Sequence, residues 1–175
     1  IEGAVSAGPT TVGSGQGMAV AFVRNALGDG QISRNAGTIP GGRFLNADSS
    51  NPRRPLPERL VGMISFIVPA HNEENWIGHC LDCIRGAMES VGGAYEVIVV
   101  DDASDDATGA IARGKDVRLL HVTLRNIAAV RNTGAREAIG EVHFFVDADT
   151  RVNGPAVKAA LLALRDGAVG GGCIP

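Results

Sequence analysis

The chain has 175 residues, of which 45% are hydrophobic and 20% charged, with a formal net charge of −3. That length supports one sizeable core, and a net acidic balance makes a general binder of nucleic acid a poor reading. No run approaches the roughly 18 consecutive apolar residues of a membrane span, and no secretory leader is visible, so the sequence reads as a soluble cytoplasmic domain.

The two ends of the chain differ. Residues 1–62 hold 11 of the 24 glycines and 5 of the 8 prolines, and keep no helical or strand period for long. Lys and Arg outnumber Asp and Glu by 6 to 4 there, against 10 to 15 in the remainder. Gly13-Ser14-Gly15-Gln16-Gly17 loosely suggests a nucleotide loop, but no strand precedes it and neither a full G-x-G-x-x-G nor a P-loop lysine follows. Asn51 to Arg59, with three prolines, is a stiff polar linker by composition. The chain begins at Ile1, and Met63 stands directly before the first convincing strand. Residues 1–62 therefore read as a flanking segment packed poorly on a folded unit of residues 63–175.

From Met63 onward strands and helices alternate. Ile64 to Val68 is an apolar strand ending at Pro69, and Asn72 is placed to cap the next helix. In that helix Ile77, Cys80, Leu81, Ile84, Met88 and Val91 recur at three- and four-residue steps, a stripe that packs on a sheet. Cys80 and Cys83 form one isolated C-x-x-C; a structural zinc would need two more soft ligands, so helix packing is the better reading. Tyr95 to Val100 is the second strand, and Ser104 is placed to cap a short helix to about Arg113. Val117 to Val122 is the third strand, and Ile127 to Ile139 is mostly helical despite Gly134. Val142 to Val146 is the fourth strand. Pro155 and Gly167 then bracket a last helix. This alternation predicts an α/β fold with a mostly parallel open sheet and helices on both faces.

Three strand ends carry polar clusters: Pro69-Ala70-His71-Asn72-Glu73-Glu74, Asp101-Asp102-Ala103-Ser104-Asp105-Asp106 and Asp147-Ala148-Asp149. The carboxyl ends of parallel strands share one edge, where ligands bind in open α/β sheets. Asp147 and Asp149 have the same parity, so on an extended backbone both carboxylates leave that edge together. Hard oxygen donors of this kind suit Mg²⁺ or Mn²⁺ carrying a phosphorylated substrate. The turn after Val68 lacks the small residues of a classical dinucleotide site.

Ser65 to Glu74, Asp101 to Thr108, Ala129-Val130-Arg131-Asn132-Thr133-Gly134 and Asp147-Ala148-Asp149 resemble, in order and spacing, the amino-terminal half of family 2 glycosyltransferases with the GT-A fold. The resemblance covers about residues 63–175, and implies a GT-A-like sheet truncated at the C-terminus. It also implies transfer of a sugar from a UDP- or GDP-linked donor to a hydroxyl acceptor, with inversion and with Mg²⁺ or Mn²⁺. Carried over by position, Pro69 and Ala70 lie against base and ribose, Glu73 helps hold the nucleoside, and Asp102 bonds the base. Asp149 resembles the metal ligand, Asp147 the residue near the ribose or a metal-bound water. Arg125 and Arg131 are candidate contacts to base or diphosphate, and His71 stands at a stacking or loop-packing position rather than a ligand position. The catalytic base is expected beyond Pro175, as is any membrane attachment at the inner face of a membrane. A nucleotidyltransferase, or a truncated nucleotide-binding domain without catalysis, are the competing readings; the former would place a glycine-rich, basic loop after the first strand.

Overall fold

A computed structural model describes residues 20–24 and 62–173. In chain order its elements are β1 (Val20–Arg24), β2 (Ile64–Ala70), α1 (Ile77–Val91), β3 (Tyr95–Asp102), α2 (Thr108–Arg113), β4 (Arg118–Val122), α3 (Ile127–Glu137), β5 (Val142–Val146), α4 (Gly154–Arg165) and β6 (Gly170–Cys173). The glycine-rich stretch at 13–17 and the linker at 51–59 lie outside the described residues.

The apolar runs become strands because both their faces find cover. All of β2 is buried, as are the last six residues of β3. Continuous hydrophobic strands of this kind belong to the middle of a parallel sheet. β2 pairs parallel with β3 on one side and β5 on the other, and β3 pairs parallel with β4. The sheet order is β4-β3-β2-β5-β1-β6. On one face Phe66 and Phe144 stack with centroids 5.1 Å apart, beneath a layer that includes Ile77, Ile84 and Met88 of α1 and Val157, Leu161 and Leu164 of α4. The opposite face carries α3, where Val130 meets Ile98 and Val100. Gly134 explains how α3 lies so close. A Cβ at that position would fall 2.5 Å from Ile67 Cγ2, so the glycine that weakens the helix by propensity is what lets it seat on the sheet.

Two expected helix starts are displaced. α1 begins at Ile77 after Trp76, and α2 at Thr108 after Ala107, neither with a side-chain cap on the preceding residue. Asn72 and Ser104 instead bond each other's loops across the sheet edge. Asn126 caps α3 and Asn153 caps α4, with Pro155 in the first turn of α4. Gly167, at φ 101°, follows α4 where the chain must turn left-handed.

The expectation that residues 1–62 pack poorly on the folded unit fails at Val20–Arg24. This segment runs antiparallel between β5 and β6, with Phe22 opposite Phe144. The physical reason is β5 itself, whose second edge would otherwise leave a row of unpaired amides and carbonyls. Phe22 is buried, its ring 5.8 Å from that of Phe144. Arg24 fixes the far end, donating its amide to the Val169 carbonyl and a guanidinium N–H to the Leu164 carbonyl, both at 3.1 Å. Five residues are too few for a periodic signal to stand out from a glycine-rich surrounding.

Phe22→Ala should therefore lower unfolding free energy by about 3 kcal/mol, the cost of emptying a buried aromatic site, while Val23→Ala, on an exposed side chain, should cost under about 0.5 kcal/mol. Urea unfolding of both variants checks this. Equal stabilities would mean that β1 does not belong to the sheet.

Candidate active site

Because β2, β3, β4 and β5 point the same way, the loops that follow them gather at one edge. A cavity of about 490 Å³ opens there. β2 and its loop contribute Pro69, Ala70, His71 and Glu73, and β3 contributes Asp102. Arg125, Asn126 and Ile127 come from the entry to α3, Val130 and Arg131 from its first turns, and Asp147, Ala148 and Asp149 from the end of β5. Every site candidate named from the sequence thus lines one cavity. Asn126, Ile127 and Val130 were not legible as site residues, being a cap and two apolar positions of a helix.

The tandem acids at the end of β3 face opposite ways, as neighbours on a strand must. Asp101 is consumed by the protein: Oδ1 accepts from the Ser104 amide at 3.1 Å, and Oδ2 lies 3.1 Å from His121 Nδ1. Asp102 faces the cavity. Its Oδ1 accepts from the Leu124 amide at 2.6 Å, which ties the loop after β4 to the end of β3 and directs that loop back over the cavity. Arg125 follows with a left-handed φ of 49°. Its guanidinium lies 2.7 Å from His71 Nε2, linking the loop after β4 to the loop after β2. His71 is exposed and lines the cavity.

The two carboxylates after β5 are also unequal. Asp147 is paired with the Arg131 guanidinium, and Arg131 Nε is buried without a partner. Asp149 is exposed and has no hydrogen bond or ion pair to another described residue. Glu73 feels both: burial above all, then the negative charges of Asp149, Asp106 and Asp147, push its carboxyl above the ordinary value of 4.5, partly offset by His71. Below this cluster Cys80 is buried, its Sγ 3.6 Å from the Asp147 carbonyl oxygen, and burial pushes its thiol up to about 12. Cys80 is thus a protonated packing residue under the β5 end, in line with the helix-packing reading. Cys83 sits 3.6 Å from His79 on the same helix.

Among the described residues, no three His, Cys, Asp or Glu side chains are grouped to hold a metal by themselves. A divalent ion here would have to complete its oxygen shell from phosphate and water, which is how Mg²⁺ is commonly held.

Comparison with known proteins agrees with this geometry. Residues 65–174 match the sequence pattern described as Glycosyl transferase family 2. The uncharacterized glycosyltransferase EpsJ of Bacillus subtilis is 32% identical over 100 residues, covering 54% of this chain and 28% of that protein. Dolichyl-phosphate beta-glucosyltransferase of Mus musculus is 30% identical over 137 residues, covering 70% of this chain and 42% of that protein. Glucosyl-3-phosphoglycerate synthase from Mycobacterium tuberculosis, solved in complex with Mn²⁺, UDP and phosphoglyceric acid, shares the fold with a TM-score of 0.51 at 24% identity, over 61% of this chain and 40% of that one. The chain thus spans less than half the length of these relatives. With the motifs on their strand ends, the GT-A type of sheet and a match across most of its length, the chain belongs to glycosyl transferase family 2.

Proposed function

We propose that the cavity binds a UDP- or GDP-linked sugar together with Mg²⁺ or Mn²⁺, and that the protein transfers the sugar to a hydroxyl acceptor with inversion. One observation carries this reading: Asp102, Asp147, Asp149 and Glu73 converge with Arg125 and Arg131 in a single cavity beyond the carboxyl ends of parallel strands. An acidic end fits a cation, and two guanidinium groups fit a diphosphate. Membership of the family and a Pro-Ala-His-Asn-Glu loop without glycine or base set the nucleotidyltransferase reading aside. Among the described residues no helix is long and apolar enough to cross a membrane.

The roles follow from which atoms are already occupied. Asp102 gives Oδ1 to Leu124, leaving Oδ2 to accept from a base. Pro69 lies past Ile67, the last β2 residue paired with β5, so its missing N–H is tolerated and its backbone borders the cavity. Glu73 helps hold the nucleoside. Arg131 pins Asp147, which favours a ribose-side role for that carboxylate, whereas Asp149 has both oxygens available for the ion. A divalent cation, when bound, would offset charge developing on the departing diphosphate. Arg125 and Arg131 would hold the phosphates in line. The carboxylate that accepts the acceptor's hydroxyl proton is expected on residues after Pro175.

The carboxylate cluster also makes a claim on stability. Glu73 has a folded value above its ordinary 4.5, so its penalty is absent below that pH, grows as pH rises through the folded value, and is complete above it. Glu73→Gln should accordingly raise the melting temperature near neutral pH and leave it unchanged at low pH. Differential scanning calorimetry across pH checks this. A gain that persists at low pH would point to packing instead.

Nucleotide titrations test the site directly. Asp149→Ala should abolish the enhancement of UDP or GDP affinity by Mn²⁺ without altering the fold, and Asp147→Ala should weaken the nucleotide more than it changes the metal effect. Asp102→Ala should weaken the nucleotide about tenfold with or without Mn²⁺, because base donors and the Leu124 amide both lose their acceptor. Isothermal titration calorimetry reads all three. Equal Mn²⁺ enhancement in wild type and D149A would remove the metal role of Asp149.

A further inference from the structure

Behind the cavity the loops after β2 and β3 hold each other by an unusual exchange. The amides of Asn72, Glu73 and Glu74 donate to Ser104 Oγ at 3.0 Å, Thr108 Oγ1 at 2.7 Å and Asp106 Oδ2 at 3.1 Å. In return the amides of Asp105 and Ala107 donate to Asn72 Oδ1 and Glu74 Oε2, both at 3.0 Å. These amides are thus satisfied by side chains of the facing loop and of Thr108, the first residue of α2. Asn72 and Ala103 sit in the left-handed region at φ 56° and 55°, a conformation that loops of this kind hold only when their surroundings dictate it.

One member of the exchange is fully buried. Thr108 is 0% exposed, and its hydroxyl takes the amide of Glu73, the residue whose carbonyl also accepts the amides of Trp76 and Ile77 at the start of α1. The Glu73 backbone is therefore fixed at both its N–H and its C=O, and its side chain is left to line the cavity. Thr108 itself does not line the cavity. A hydrophobic isostere at 108 would keep the shape but leave the Glu73 amide without its acceptor.

We propose that Thr108 is a positioning residue for nucleotide binding, acting through the Glu73 backbone to lock the loops after β2 and β3 into one preorganised wall of the cavity. The proposal rests on the reading that the cavity binds a nucleoside diphosphate. Its consequence is non-additivity. Where Glu73 has lost its side chain there is nothing left for Thr108 to aim, so loss of the hydroxyl has no further effect on the ligand.

The test is a double-mutant cycle on UDP and GDP affinity, with melting temperatures measured in parallel. Thr108→Val should weaken the nucleotide that wild type binds by about tenfold, the loss of one well-placed acceptor. Thr108→Ser, which keeps the hydroxyl, should stay within about twofold of wild type. In a Glu73→Ala background, Thr108→Val should change affinity no further. Wild-type affinity in T108V, or the same weakening with and without Glu73, overturns the proposal while leaving the nucleotide reading intact. Should T108V fail to fold, Thr108→Ala removes the same acceptor of the Glu73 amide with a smaller side chain, and wild-type affinity there overturns the proposal equally. If wild type binds neither nucleotide, the reading of the cavity falls and this inference with it.

Discussion

Parallel pairing of β2 with both β3 and β5 is the constraint on which the rest of the molecule depends. A parallel ladder brings the same end of every strand to one edge, and it obliges each connection to cross back over a face of the sheet. The helices that make those crossings bury Phe66, Phe144 and Ile67 from both sides, so the strands can be wholly apolar in their middles. Polar residues are thereby driven to the strand ends. The acids at 101–102 and 147–149, and the polar loop after Ala70, lie together because the ladder leaves them no other place.

What the edge collects is not a uniform acidic patch, and the differences decide its chemistry. Asp101 is spent on Ser104 and His121, and Asp147 is held by Arg131. Glu73 and Asp149 lack comparable ion pairs among the described residues, and burial first, then the neighbouring carboxylates, holds the Glu73 carboxyl above its ordinary value. Like charges crowded in a partly desolvated cavity raise the free energy of the empty site and favour whatever cation relieves them. Arg125 and Arg131 line the same cavity, and Arg131 bonds Asp147 directly, so positive and negative groups are interleaved there rather than separated.

Much of this was legible from the sequence, and the exceptions share a cause. Strand positions were readable because runs such as Val97 to Val100 need burial on two faces, and no other element offers a four-residue apolar run that cover. That the candidate residues would meet in one cavity was readable because strand ends are fixed once strands are. Side-chain bonding was not. Asn72 and Ser104 have the chemistry of helix caps, and local sequence assigns them that role; tertiary contact between two loops instead gives each a backbone amide of the other. Asp101 and Asp102 are told apart in the sequence only by family resemblance; the pleat gives the physical reason, turning one toward His121 and the other toward the cavity.

β1 shows a different kind of invisibility. A parallel strand must be reached by a right-handed crossover of a dozen or more residues, so its place is bound to the order of the chain. An antiparallel strand carries no such obligation. The slot between β5 and β6 asks only for a short extended segment with one large apolar side chain facing Phe144, and Val20–Arg24 meets that requirement with Phe22. Its sequence position, ahead of every parallel strand, therefore says nothing about its place in the sheet. Yet β5 carries Asp147 and Asp149 at its end, and the strand that closes its second edge helps fix where those carboxylates stand. The geometry of the site accordingly depends on a segment that composition alone would assign to the periphery.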